Sequence, residues 1–198
     1  MSQGHDTTAT ATCWAMYLLG LHRDVQERVY LELEEVMEHS PLDTPIGPEH
    51  IRAMKYLDIV LKVLTYLTYT LNVRLAYDLL FDHVPDGTKI HKGTTCMLLT
   101  YMLHRDPKVF PNPEKFDPER FLPENCIGRH PMSFIPFSAG QRNCIGQKYA
   151  VMEVKVILGN ILRHFELRSL DSRENLRLAG EIVLKTRTPI RIQFIPRS

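Results

Sequence analysis

The sequence carries no large excess of charge of either sign. Lysine and arginine together number 24 and aspartate and glutamate 23, for a formal net charge of +1. Neither nucleic acid nor an acidic partner is therefore implied by composition. Cysteine is scarce, with Cys13, Cys96, Cys126 and Cys144 scattered and no C-x-x-C pair. That spacing argues against a zinc site and a disulfide framework, and it fits a reducing compartment. The uncharged, apolar-looking run Val63–Val73 is too short to span a bilayer. The opening residues, Met1-Ser-Gln-Gly-His-Asp, are polar, so no signal peptide is expected there. Internal repeats and low-complexity tracts are absent too.

What is present suits one globular core: 198 residues, 44% of them hydrophobic, predict a single domain. Apolar spacing predicts a helix over Thr7–Gly20, with Trp14, Leu18 and Leu21 on one face and Gly20 as its stop. A second helix is expected over Asp24–His39, striped by Val25, Val29, Leu33, Val36 and Met37. A third is expected over Glu49–Lys62 with Ile51, Met54, Leu57 and Leu61 inward. Residues 63–77, VLTYLTYTLNVRLAY, are rich in Thr, Tyr, Leu and Val, a composition that favours strand. Pro85-Asp-Gly87 reads as a turn, Thr88–Met97 as an interrupted strand and Leu98–His104 as a short helix.

Residues 106–136 hold seven prolines and four phenylalanines. They predict a long irregular coil that packs on something, which is uncommon in a compact domain without a functional reason. A helix returns over Gly146–Phe165, with Tyr149, Met152, Val156, Leu158 and Ile161 mostly inward. The tail alternates through Ile182, Leu184, Ile190, Ile192 and Phe194, which suggests a hairpin around Thr186–Pro189. The fold class expected is mainly α with minor β.

The stretch that carries chemistry is PFSAGQRNCIG, residues 136–146. A cysteine at the mouth of a helix meets unpaired N–H groups and the positive end of the helix dipole, both of which favour thiolate. Gly140 and Gly146 on either side let backbone approach a flat or bulky ligand. Arg142 can pair with an anion on the same surface. Those parts suit a thiolate metal ligand beside a cofactor that bears carboxylates, and haem, with iron and two propionates, fits. A lone cysteine before a helix is most often a small buried hydrophobe. Here, however, Phe137, Gly140, Arg142, Cys144 and Gly146 stand together as F-x-x-G-x-R-x-C-x-G. A redox-active thiol is a weaker alternative, since no resolving cysteine lies nearby in sequence.

That pattern resembles the haem-binding loop of the cytochrome P-450 monooxygenases, and RNCIGQKYA resembles the fatty-acid omega-hydroxylase branch, family 4. Gly4-His-Asp-Thr-Thr8 is similar to the family's oxygen-activating helix motif, G-x-D-T-T, and Phe116-Asp-Pro-Glu-Arg-Phe121 to its P-E-R-F segment. The resemblance implies haem b held by Cys144 as axial ligand, Arg142 as a propionate partner and Phe137 shielding the sulfur. It further implies Asp6 and Thr7 as a proton relay, with Thr8 the less favoured hydroxyl, set at a local opening of the helix. The implied reaction inserts one oxygen atom of O2 into a lipid-like substrate, with electrons from NADPH through a flavin-containing reductase, at the endoplasmic reticulum membrane.

The resemblance also implies that residues 1–198 are a single partial domain, the carboxy-terminal portion of the fold. It would start within the oxygen-activating helix, without the half that brings the membrane anchor and the roof of the substrate pocket. The likeness lapses over 63–77 and resumes near Asp78. Where the family has E-x-x-R, this chain has Val63 and Tyr66. The family pairs that Glu and Arg with the P-E-R-F arginine, here Arg120, so Arg120 is expected to lose two partners, a costly state if it is buried. Gln3 stands where many family 4 members carry a glutamate that esterifies haem, so only Cys144 and non-covalent contacts are expected to hold the cofactor. The alternative to an active monooxygenase is a truncated, inactive chain with residual haem binding.

Overall fold

The structure, a computed structural model, describes residues 3–68, 77–78, 87–96, 98–180 and 184–197. Its frame is four helices: α1 (Gln3–Leu21), α2 (Arg23–Val36), α4 (Lys55–Thr68) and α6 (Gln147–His164), with the short α3 (Pro48–Ala53) and α5 (Thr100–Leu103) between them. Three small antiparallel pairs accompany them: β1 (Tyr77–Asp78) with β2 (Thr95–Cys96), β3 (Phe165–Ser169) with β6 (Ile192–Pro196), and β4 (Leu178–Gly180) with β5 (Leu184–Thr186).

α1 is the central element. Trp14, Ala15, Tyr17, Leu18 and Leu19 are all buried, and a helix that is apolar all round has neighbours on all sides. It packs on α2, α4, α6 and β3. At Gly20 a side chain would lie 2.5 Å from Ser169 Oγ and 2.7 Å from its backbone nitrogen. Gly20 is thus where α1 crosses β3 closely, and the helix runs one residue further, to Leu21. α2 turns Val25, Val29 and Leu33 inward and ends at Val36, because Glu38 and His39 take left-handed φ values of 51° and 54°. Each fully buried leucine, such as Leu33, Leu57, Leu158 or Leu162, contributes roughly 2 kcal/mol of apolar transfer.

Several expectations change. The third helix is two: α3 ends at Met54, and α4 starts afresh under Glu32, whose carboxylate accepts from the Tyr56 and Leu57 amides at 2.5 and 2.9 Å. The strand preference of 63–77 fails over 63–68, which continue α4. Leu57, Val60, Leu61, Leu64 and Leu67 are buried on one helical face, and that periodicity overrides the β propensity of Val, Thr and Tyr. Residues 69–76 lie outside the described residues. Of Thr88–Met97, the described residues contribute the two strand residues of β2, and Met97 lies outside the described residues.

α6 buries Val154, Lys155, Leu158, Gly159, Leu162 and Arg163, whereas Tyr149 and Met152 are exposed. The inward stripe runs through 154/155, 158/159 and 162/163, one step round the helix from the expected one. The tail is not a hairpin around Thr186–Pro189. β5 pairs with β4, and β6 pairs with β3 in the register Phe165↔Pro196 to Ser169↔Ile192. Ile182 lies outside the described residues.

The proline-rich coil packs as expected. Three 3-10 turns, Pro118–Phe121, Pro123–Cys126 and Pro131–Ser133, each open on proline, which presets φ and needs no donor. Phe110, Phe116 and Phe121 are buried. The rings of Phe110 and Phe121 sit 4.9 and 5.9 Å from Tyr66 of α4, and Phe134 sits 4.6 Å from Phe121.

Two buried cations tie α6 to the rest. Lys155 Nζ donates to the Ile51 and Met54 carbonyls and pairs with Asp58 at 2.6 Å. Arg163 donates to four carbonyls, of Ser40, Pro41, Leu42 and Thr44, at 2.8–3.3 Å. Together they fix the axis of the helix whose first turn follows Cys144. Among the described residues no helix is long and apolar enough to cross a membrane.

Candidate haem-thiolate site

The loop that leads into α6 is closed by its own backbone. The Ser138 amide donates to Ile135 O at 3.0 Å, and the Cys144 amide donates back to Phe137 O at 2.9 Å. Ser138 and Gly140 take left-handed φ values of 64° and 84°. Gly140 has nothing within 4 Å of an added Cβ, so its role is conformational rather than spatial. Gly146 is the N-cap residue of α6. An added Cβ there would lie 3.9 Å from Cys144 Sγ, so glycine leaves that flank of the sulfur bare.

Cys144 is free and exposed, two residues before the helix cap. Arg142 is exposed and makes no ion pair with any described residue. Beside this loop lies a shallow apolar cleft walled by Ala11 and Ala15 of α1, Leu61 and Leu64 of α4, and Val151 and Val154 of α6. Phe137 closes it on the loop side. Small residues on α1 and α6 leave room between the helices where a longer side chain would fill it.

The chemistry of these donors selects the kind of group they suit. Among the described residues no three His, Cys, Asp or Glu side chains gather to hold a bare metal ion. The loop offers one sulfur, one cation and an apolar wall. A metal that arrives with its other donors in a flat organic ring needs no more than that from the protein. The residues present fit haem.

The relay candidates sit on the first turns of α1. Asp6 is exposed, and Lys185 Nζ of β5 lies 3.2 Å from its carboxylate. Thr7 is half-buried and Thr8 is buried. The helix is unbroken from Gln3 to Leu21, so the expected local opening is absent. Thr10 and Thr12 hydroxyls donate back to the Asp6 and Thr8 carbonyls at 2.8 and 2.9 Å. Lys185 had no sequence signal, being 179 residues away from Asp6.

Arg120 is only 8% exposed. In place of a carboxylate its guanidinium donates to the carbonyls of Pro111, Asn112 and Lys115 at 3.0–3.2 Å, and it lies 5.2 Å from the ring centre of Tyr66. Its Nε has no partner among the described residues. Among the described residues no carboxylate pairs with Arg120, and its terminal nitrogens are met by backbone oxygens and an aromatic face rather than left bare. Val63 and Tyr66, at the positions of the family's Glu and Arg, are both fully buried.

The family model for cytochrome P450 matches residues 1–194. Cytochrome P450 4V2 of Rattus norvegicus is 48% identical over 194 residues, covering 98% of this chain and 36% of its own length. Cytochrome P450 4V2 of Homo sapiens is 46% identical over the whole of this chain and 37% of its own length. Cytochrome P450 4c3 of Drosophila melanogaster is 42% identical, covering 100% of this chain and 36% of its own length. The chain belongs to the cytochrome P450 family, and these relatives carry the family 4 designation. It spans a little over a third of the length of the curated relatives it matches, and its helices and small sheets form part of that fold.

Proposed function

We propose that this chain is the proximal, cysteine-bearing part of a haem-thiolate monooxygenase that acts on a long-chain fatty acid or similar lipid. The observation that carries the reading is Cys144: a free, exposed thiol on a backbone-closed loop, beside an apolar cleft between α1, α4 and α6. When bound, haem would supply the redox chemistry for putting one atom of O2 into a C–H bond and releasing the other as water, with two electrons and two protons. Cys144 would hold the metal through its sulfur, a thiolate ligand of the kind that supports oxygen activation. Arg142, free of protein partners among the described residues, pairs with a propionate. Phe137, whose carbonyl accepts from the Cys144 amide, would shield the sulfur. Gly140 and Gly146 keep the loop compact and its flank bare.

Asp6 and Thr7, with Thr8 behind them, pass protons inward from solvent, and Lys185 orients the Asp6 carboxylate. Electrons come from NADPH through a flavin-containing reductase, and the working location is the endoplasmic reticulum membrane. The apolar lining of the cleft, with no charged side chain in it, supports a lipid over a polar substrate. The test is turnover: the chain loaded with haem, a flavin reductase, NADPH and a fatty acid should yield a hydroxylated product that is lost in Cys144→Ser.

A second reading has its own observation. Val63 and Tyr66 replace the Glu and Arg that partner Arg120 in the family. A chain that takes up haem at Cys144 and accepts electrons without forming product would be a haem-binding, catalytically silent member.

A further inference from the structure

His104 follows α5, is fully buried, and touches no part of the proposed relay. Its Nε2 accepts a hydrogen bond from the Ile135 amide at 3.0 Å. That bond requires an unprotonated Nε2 and so places the ring proton on Nδ1, which has no partner among the described residues. The ring is clamped from three sides: Tyr66 of α4 stacks at 6.0 Å, Phe110 meets it edge-on at 6.4 Å and Phe134 lies at 5.2 Å.

Ile135 is where the cysteine loop begins. Its amide is held by His104, its carbonyl accepts from Ser138, and within that turn Phe137 O accepts from the Cys144 amide. A continuous series of contacts thus runs from the face of α4 through the imidazole to the backbone that presents the sulfur. Burial and the neighbouring Arg105 both push His104 down, to about 4, so the acceptor nitrogen stays available at neutral pH.

We infer that His104 is the positioning residue for the Cys144 loop, an acceptor built into the core that sets the register of residues 135–144 against α4. This rests on Cys144 being the ligand only for its consequence in catalysis; the loop order itself is read without haem. Three full-length chains would be compared: parent, His104→Leu, which keeps bulk and loses the acceptor, and His104→Gln, which returns an oxygen near Nε2.

Amide hydrogen exchange should show the Ile135 and Cys144 amides exchanging about tenfold faster in His104→Leu, the change expected for loss of one hydrogen bond. Amides within α1 and α6 should change less, and His104→Gln should recover most of the protection. After haem loading, the thiolate-type carbon-monoxide band should fall in His104→Leu and return in His104→Gln. Parent-like exchange at Ile135 and Cys144 in His104→Leu would overturn the inference. So would a uniform loss of protection in both variants, which would make His104 a packing residue. Local loosening of the loop with no thiolate band even in the parent would support the positioning role while defeating the ligand assignment.

Discussion

Two arginines from the same chain live in opposite circumstances. Arg142, two residues before Cys144, is exposed and makes no ion pair with a described residue. Arg120 is buried beneath the coil, gripped by three carbonyls and the face of Tyr66. The five donors of Arg142 remain open to solvent, which is what the proposed pairing with an incoming anion requires. Arg120 has the reverse design. Its donors are consumed internally, so its removal would be felt by the fold first. On the proposed function the cysteine loop faces the ligand and the Arg120–Tyr66 region is scaffold, although the family resemblance marks both.

The sharpest way to break that contrast is to remove the buried cation. Arg120→Leu should cost about 4 kcal/mol of unfolding free energy in urea, because three carbonyls lose their donor and burial prevents water from replacing it. A loss under about 1 kcal/mol would mean that Arg120 is not structural. Tyr66 gives a slightly smaller and more informative effect. Tyr66→Arg should destabilise by about 3 kcal/mol, since it empties the aromatic cluster with Phe110 and Phe121 and sets a second cation against Arg120. Adding Val63→Glu should recover part of that loss. A favourable coupling of about 1–3 kcal/mol in the double-mutant cycle would show that the site still accepts a carboxylate and a guanidinium; strict additivity would show that it has been rebuilt around tyrosine.

His104 links the two regions and gives the comparison a pH axis. Its folded value of about 4 lies below the ordinary 6.5, so between those values the unfolded chain takes up a proton that the folded chain refuses. The His104 contribution should therefore be lost as pH drops from about 6.5 to about 4, about 3 kcal/mol in all, and below that the protonation of Glu114 and Asp171, both lowered in the fold, continues the decline. Burial lowers His22 as well and adds to the slope in the same direction. His104→Gln should flatten most of it, as followed by urea midpoints across the range. The smallest effect belongs to Arg142. Arg142→Ala should leave unfolding within about 0.5 kcal/mol of the parent and weaken haem uptake about tenfold, equivalent to about 1.4 kcal/mol.

How far the sequence could be read follows the same division. Apolar spacing located α1, α2 and α6 within a few residues. Five fixed positions from Phe137 to Gly146 marked the loop that proves to be closed by Cys144 N–H to Phe137 O. The scaffold was harder. Composition argued for strand at 63–68, and burial of Leu64 and Leu67 on the helical face of α4 decided otherwise. The partners of Arg120 and Arg163 are backbone carbonyls, which every residue possesses and no motif records. Pairs such as Asp6 with Lys185, or Ile135 with His104, join segments far apart in sequence without altering local periodicity. His104 in particular reads as one more polar residue at the end of a short helix until its burial and its acceptor role are seen.

The account stands or falls on the sulfur. The most direct measurement is the carbon-monoxide difference spectrum of the reduced, haem-loaded chain beside Cys144→Ser. A red-shifted Soret band of the thiolate type in the parent, absent from the variant while both bind haem and fold alike, is the predicted result. The same spectrum from both chains, with no thiolate band in either, would contradict it and leave the Cys144 loop a shape inherited from the family without its chemistry.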